Sequence, residues 1–266
     1  MTFWLLYLAL GALAGLLAGL LGVGGGIVVV PMLTFVFAAQ QLPSPLILHL
    51  ALGTSLASIA FTSISSLRAH HDRGAVDWQV FRRVTPGILI GTLLGSWLAA
   101  QLSTRFLKAF FVFFLFYVAL QMLLGVKPRP TRQLPGVGGM FGVGSVIGGV
   151  SSLVGIGGGS MSVPFLVWCN VSLHDAIGTS AAIGFPIAVA GAVGYVANGL
   201  AIKTLPPHSL GFVYLPALVG IAAVNVLTAP FGARLAHRLP VAHLKRFFAL
   251  LLMVMGTKMF AGVFGR

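Results

Sequence analysis

The chain has 266 residues, of which 58% are hydrophobic and only 7% charged. A soluble domain carries about 25% charged residues, so a water-soluble globular fold is excluded. The net charge of +13, from 16 Lys and Arg against 3 acidic residues, would suggest nucleic acid in a soluble chain. Here the basic residues sit between apolar runs, where they report topology and anionic lipid headgroups instead.

Apolar segments near the roughly 20-residue length that crosses a bilayer follow one another from the N-terminus. The first covers 3–21 and lacks the basic start of a signal peptide, so it reads as a retained helix. Gly22-Val23-Gly24-Gly25-Gly26 interrupts the pattern, and a short segment, 27–39, follows. Segments 46–68, 84–101 and 105–124 complete a first group of five. Lys127-Pro128-Arg129-Pro130-Thr131-Arg132 is a polar, proline-bearing linker. The second group is 137–154, then Gly155-Ile156-Gly157-Gly158-Gly159, then 160–171, 174–197, 209–235 and 243–263. Short alternating segments of a β-barrel are absent. The single cysteine, Cys169, excludes an intramolecular disulfide.

The two groups are a duplication. GVGGGIVVVP at Gly22–Pro31 matches GIGGGSMSVP at Gly155–Pro164, and HLALGTS at His49–Ser55 matches HDAIGTS at His174–Ser180. GSWLAAQLSTRFLKAFF at Gly95–Phe111 matches GARLAHRLPVAHLKRFF at Gly232–Phe248, in the same order. Residues 1–126 form the first repeat, 127–135 the linker and 136–266 the second repeat, together one membrane domain. The expected fold is an all-α polytopic membrane protein of two five-segment repeats, each with a short helix broken by a glycine loop.

The short second segments cover roughly 20 Å as helix, less than the hydrocarbon core. They either cross with help from extended backbone or re-enter and turn back. Ten crossings give inverted repeats, with eleven Lys and Arg on one side and five on the other. Eight crossings give parallel repeats and a ten-to-six split. Both satisfy the positive-inside rule. Ten crossings, with both termini outside, are preferred.

Matched breaks in the two halves of a membrane protein mark a transport site, because irregular backbone at membrane depth must be buried or line a wet cavity. Glycine allows close backbone approach to a ligand. A loop leading into a helix offers free N–H groups and the positive end of the helix dipole, which favour an anion. Gly22, Gly24, Gly25 and Gly26 are therefore candidate substrate contacts, as are Gly155, Gly157, Gly158 and Gly159. Ser160 can N-cap its helix. In the first half, Ile27 to Val30 can be extended, with Pro31 opening the helix. The paired hydroxyls of Thr54 and Ser55 and of Thr179 and Ser180 join the candidate site. Tight helix packing is the bland alternative for both motifs.

Asp72 and Asp77 sit in the basic loop His70–Arg83 and read as solvated or salt-bridged. Asp175 lies at a helix start, where a carboxylate caps well; with Asn225, mid-segment, it is a candidate for coupling or gating. Asn198 reads as a hydrogen-bonding residue between helices, and His237 and His243 as surface. No cluster has metal-ligand spacing, no catalytic triad is visible and no Walker motif occurs. No cofactor and no enzymatic activity are expected.

At these residues the chain resembles the TauE/SafE sulfite exporter family, also called the toluene-sulfonate uptake permease family. The resemblance rests on GLLAGLLGVGGGIVVVP at 15–31, its copy GGVSSLVGIGGGSMSVP at 148–164 and the two HxAxGTS blocks. Gly74-Ala75-Val76-Asp77 and Gly232-Ala233-Arg234-Leu235-Ala236 with His237-Arg238-Leu239-Pro240 also fit. It covers essentially the whole chain. It implies a multi-pass permease of a bacterial-type inner membrane for sulfite, sulfonates or related organosulfur anions. It also implies about eight helices, the number obtained when short segments merge with neighbours. The sulfur comes from the resemblance alone. Expected partners are a small anion and the bilayer, with a homodimer left open and no nucleic acid. A non-transporting membrane assembly or accessory protein is the alternative.

Overall fold

The computed structural model describes residues 2–21, 25–125, 130–236 and 241–264. The candidates Gly22 and Gly24 lie outside the described residues. The first half holds α1 (Thr2–Leu21), α2 (Gly26–Ala39), α3 (Ile47–His71), α4 (Trp78–Gln101) and α5 (Thr104–Leu124). The second holds α6 (Val137–Val154), α7 (Gly159–Trp168), α8 (Leu173–Gly199), α9 (Leu215–Ala236) and α10 (Val241–Phe264). A two-residue antiparallel ladder, β1 (Ser209–Leu210) with β2 (Val213–Tyr214), precedes α9. Helices α3, α4, α5, α6 and α8 are each long and apolar enough to cross a membrane. The chain is an all-α, multi-pass integral membrane protein.

Helix α1 packs along α9, α4 along α6, α3 along α8 and α5 along α10; α4 also touches α8, and α3 touches α9. Matching α1–α5 with α6–α10 in order turns each of these pairs into another of them, or into itself. Small residues make the two long parallel contacts. Gly87, Gly91 and Gly95 of α4 lie against Phe141, Ser145 and Gly149 of α6 so closely that a Cβ would meet backbone carbonyls. Gly11 and Gly15 of α1 lie in the same way on Ile221 and Asn225 of α9. Without a hydrophobic drive between helices in lipid, such close approach supplies the packing energy.

Helices α3 and α8 run antiparallel. Thr54, near the start of α3, bonds Tyr214, which follows α8; Thr179, near the start of α8, bonds Asp77, which follows α3. The two matched helices therefore point opposite ways through the centre of the molecule. Call the face where α1 begins the first face. His49 near the start of α3 bonds the carbonyl of Ala99 near the end of α4, and Thr104 of α5 bonds Pro45, so all three ends share that face.

The short helices do not cross. Gln40, at the end of α2, bonds the hydroxyl of Tyr7 in the second turn of α1. The carbonyl of Trp168, at the end of α7, accepts from Thr131 and Arg132, just before α6. Each short helix thus returns to the face from which its predecessor set out, which corrects the expectation of ten crossings. Its length explains the result: 14 residues in α2 and 10 in α7 are too few to reach the other face. An entering and returning pair keeps the parity of two crossings. Helix α1 still begins, and α10 ends, on the first face.

Candidate functional site

Both glycine loops end in the same backbone device. Gly25 (φ 67°) and Gly158 (φ 77°) are left-handed, and each is the N-cap of its short helix. A side chain would be strained there. The carbonyl of Gly25 accepts from Val28 and Val29, and that of Gly158 from Met161 and Ser162, at 2.9–3.2 Å. Helix α2 therefore starts at Gly26, not at Pro31. The left-handed glycine makes the turn, so Ile27 to Val30 are helical rather than extended. The same device displaces Ser160 from the cap position: it stands inside the first turn of α7, and Gly158 caps.

The two loops meet. The space beside Gly26 is filled by the carbonyl of Gly155 and by Ile59, and Gly157 faces Ile59 and Gly184. Ile59 lies near the middle of α3 and Gly184 near the middle of α8, so the meeting point is deep in the molecule. Gly25, Gly26, Gly155, Gly157, Gly158, Gly159 and Ser160 are all buried. The first N–H groups of a helix have no intrahelical partner, and the N-termini of α2 and α7 both stand at this point.

Serines surround the second loop. Ser55 Oγ donates to the carbonyl of Gly155 at 2.8 Å. Ser162 Oγ lies 2.7 Å from Ser180 Oγ and also bonds the carbonyl of Gly158. Tyr195 donates from α8 to the carbonyl of Ser152 at 3.0 Å. Ser151 and Ser160 differ: both hydroxyls are buried and find no hydrogen-bond partner among the described residues. Ser151 sits over Gly158, and Ser160 is one residue into α7. In the first repeat the positions of Ser151, Ser152, Ser160 and Ser162 hold Ala18, Gly19, Ile27 and Val29. The loops match in backbone at Gly25 and Gly158, and among the described residues the hydroxyls named here stand at the second loop.

The sequence pattern of the family described as sulfite exporter TauE/SafE matches residues 7–259. The chain belongs to that family. A probable membrane transporter protein of Haemophilus influenzae is 38% identical over 97% of this chain and 98% of its own length. One from Methanocaldococcus jannaschii is 26% identical over 96% of this chain and 94% of its own. The Bacillus subtilis protein YunE, a probable membrane transporter, is 28% identical over 74% of this chain and 79% of its own. No solved structure matches the chain. TauE/SafE membership makes this a protein of a membrane transporter family, and its site is therefore sought where two helix breaks meet.

The remaining candidates of this TauE/SafE chain are dispersed. Thr54 and Thr179 lie at opposite ends of the α3–α8 pair, each accepting a backbone N–H at 2.9 Å from the segment that opens α9 or α4. Gly53 and Gly178 admit those segments, lying against the carbonyls of Phe212 and Ala75. Asp175 is not the cap of α8. Ser172 caps, accepting from the Asp175 N–H at 3.1 Å and donating to its carboxylate at 2.7 Å. That carboxylate is 46% exposed and 3.6 Å from His174, well away from the loops. Asn225 is buried in α9 against Gly15, and its Oδ1 finds no partner among the described residues. Asp77 caps α4 through the N–H groups of Gln79 and Val80.

Sequence reading passed over Ser151 and Ser162. Their signal was present in the second glycine block, which carries hydroxyls where the first carries Ala and Val. A cavity of about 670 Å³ also opens at the first face, lined by Trp4, Tyr7, Gln40, His208 and Tyr214 among others. It lies at the end of α2 remote from the loops.

Proposed function

We propose that the chain is a permease for a small oxyanion of the sulfite or sulfonate type, bound where the two glycine loops meet. The observation that carries this reading is the pair of buried, unpartnered hydroxyls, Ser151 and Ser160, at the open N-terminus of α7. A buried hydroxyl without a partner costs free energy, and a helix N-terminus attracts negative charge. An oxyanion answers both demands. Its oxygens accept from Ser151, Ser160 and the first N–H groups of α7, while Gly25, Gly26 and Ser55 close the opposite wall. The choice of a sulfur oxyanion rests on family membership and on nothing finer.

The repeats are inverted across the membrane in this reading. Matched antiparallel helices and two breaks facing each other at mid-depth support it, and such repeats suit alternating access. Thr54 and Thr179 then hold the two halves together at opposite faces. The test is anion flux in proteoliposomes, with binding followed by thermal shift against sulfite, sulfonates, sulfate and carboxylates. Losing one hydroxyl bond to an anion costs about 1.5–3 kcal/mol. Ser160→Ala and Ser151→Ala should each weaken binding about tenfold or more while leaving the melting temperature in detergent unchanged. Full affinity in the double variant would refute the site.

A further inference from the structure

Building on that anion-permease reading, we infer that the site accepts only substrates carrying a single negative charge. No Asp, Glu, Lys or Arg occurs from Met1 to Leu67, from Gln133 to His174 or from Ala176 to Ile202. Those stretches contain α1, α2, α6, α7 and the membrane-deep parts of α3 and α8, which are the elements that build and enclose the loops. Every buried side chain described that carries a hydrogen-bonding N or O atom is Ser, Thr, Tyr, His or Asn. The site therefore meets an anion with dipoles alone.

Dipoles alone serve one charge far better than two. The cost of taking an ion out of water grows with the square of its charge, so a dianion costs about four times as much as a monoanion of its size. Attraction to hydroxyls and to the roughly half charge of a helix N-terminus only doubles. Sites that hold dianionic groups commonly add Arg or Lys, and among the described residues none lines this one. Titratable side chains do not supply the missing charge. His49 lies at the first-face end of α3, with Nε2 on the Ala99 carbonyl and its ring stacked on Phe212. Tyr195 spends its proton on the carbonyl of Ser152, and Tyr7 is paired with Gln40. His70, His174 and Asp175 stand at the second-face ends of α3 and α8.

An oxyacid that loses its second proton near neutral pH is then carried in its singly charged form, and flux depends on pH through the substrate. The experiment uses the purified chain in proteoliposomes, with methanesulfonate, sulfite and sulfate as substrates. Methanesulfonate is a monoanion throughout, so its flux should be flat from mildly acidic to mildly alkaline pH. Sulfite flux should fall with rising pH, approaching about tenfold per unit where the monoanion is the minor species. Sulfate should neither move nor shift the melting temperature, whereas perchlorate, of the same shape and half the charge, should compete with methanesulfonate. Sulfate carried as fast as methanesulfonate, or sulfite flux independent of pH, would overturn the inference and leave the anion site standing. If no anion binds or moves, the site reading falls and the inference with it.

Discussion

Thr54 and Thr179 show what a matched hydroxyl does in this fold. Each accepts a partly buried backbone N–H from the opposite repeat, at 2.9 Å. Replacing either by valine keeps the shape and orphans that N–H, at a cost of about 1–3 kcal/mol. The two bonds lie at opposite faces and share no partner, so their effects should add. Thr54→Val and Thr179→Val should each lower the melting temperature in detergent, and the double variant should lower it by the sum. A double variant no worse than either single would contradict this. The histidines that open the same two motifs are not equivalent. His49 is buried against Phe212, while the His174 side chain is 66% exposed beside Asp175. Motif identity in the two blocks thus extended to the threonines, which each accept a backbone N–H, and failed at the histidines: His49 bonds the Ala99 carbonyl and stacks on Phe212, whereas His174 stands beside Asp175.

Among the helices, the stripe of Gly87, Gly91 and Gly95 is the contact most exposed to test. Gly91 lies on the carbonyl of Ser145, whereas a Cβ at Gly142, on another side of α6, meets nothing within 4 Å. Forcing bulk into a packed contact costs about 1–3 kcal/mol or more. Gly91→Leu should therefore lower the melting temperature by several degrees, and Gly142→Leu should leave it unchanged; equal effects would remove the stripe from the packing scheme. The sequence exposed the short length of α2 and α7, because length is a count of apolar residues. Their direction was hidden, since it depends on Gln40 finding Tyr7 and on Trp168 finding Thr131, contacts that no local pattern records. For the same reason Pro31 and Ser160 read as plausible helix starts. Either start satisfies local rules, and only the left-handed turns at Gly25 and Gly158 decide between them.

For the whole molecule, parity links structure to orientation. Helix α1 begins and α10 ends on the first face, which also carries Arg105, Lys108 and Lys203. Arg68, Arg73, Arg82, Arg83 and Arg132 flank helix ends on the second. The positive-inside rule puts the second face in the cytoplasm. A C-terminal reporter that works only in the cytoplasm should be silent, and one that works only outside should be active; the reverse result would invert the assignment. The pairing of α1 with α9 also has a consequence for biosynthesis. Seven helices are made between those two partners, but only one between α4 and α6. The α4–α6 seam can close while the second half is still being translated, whereas α1 waits in lipid with its glycine stripe uncovered. Gly155, which Gly26 meets, belongs to the second half, so the centre of this protein can close only after α5 has been made and α6 has followed it.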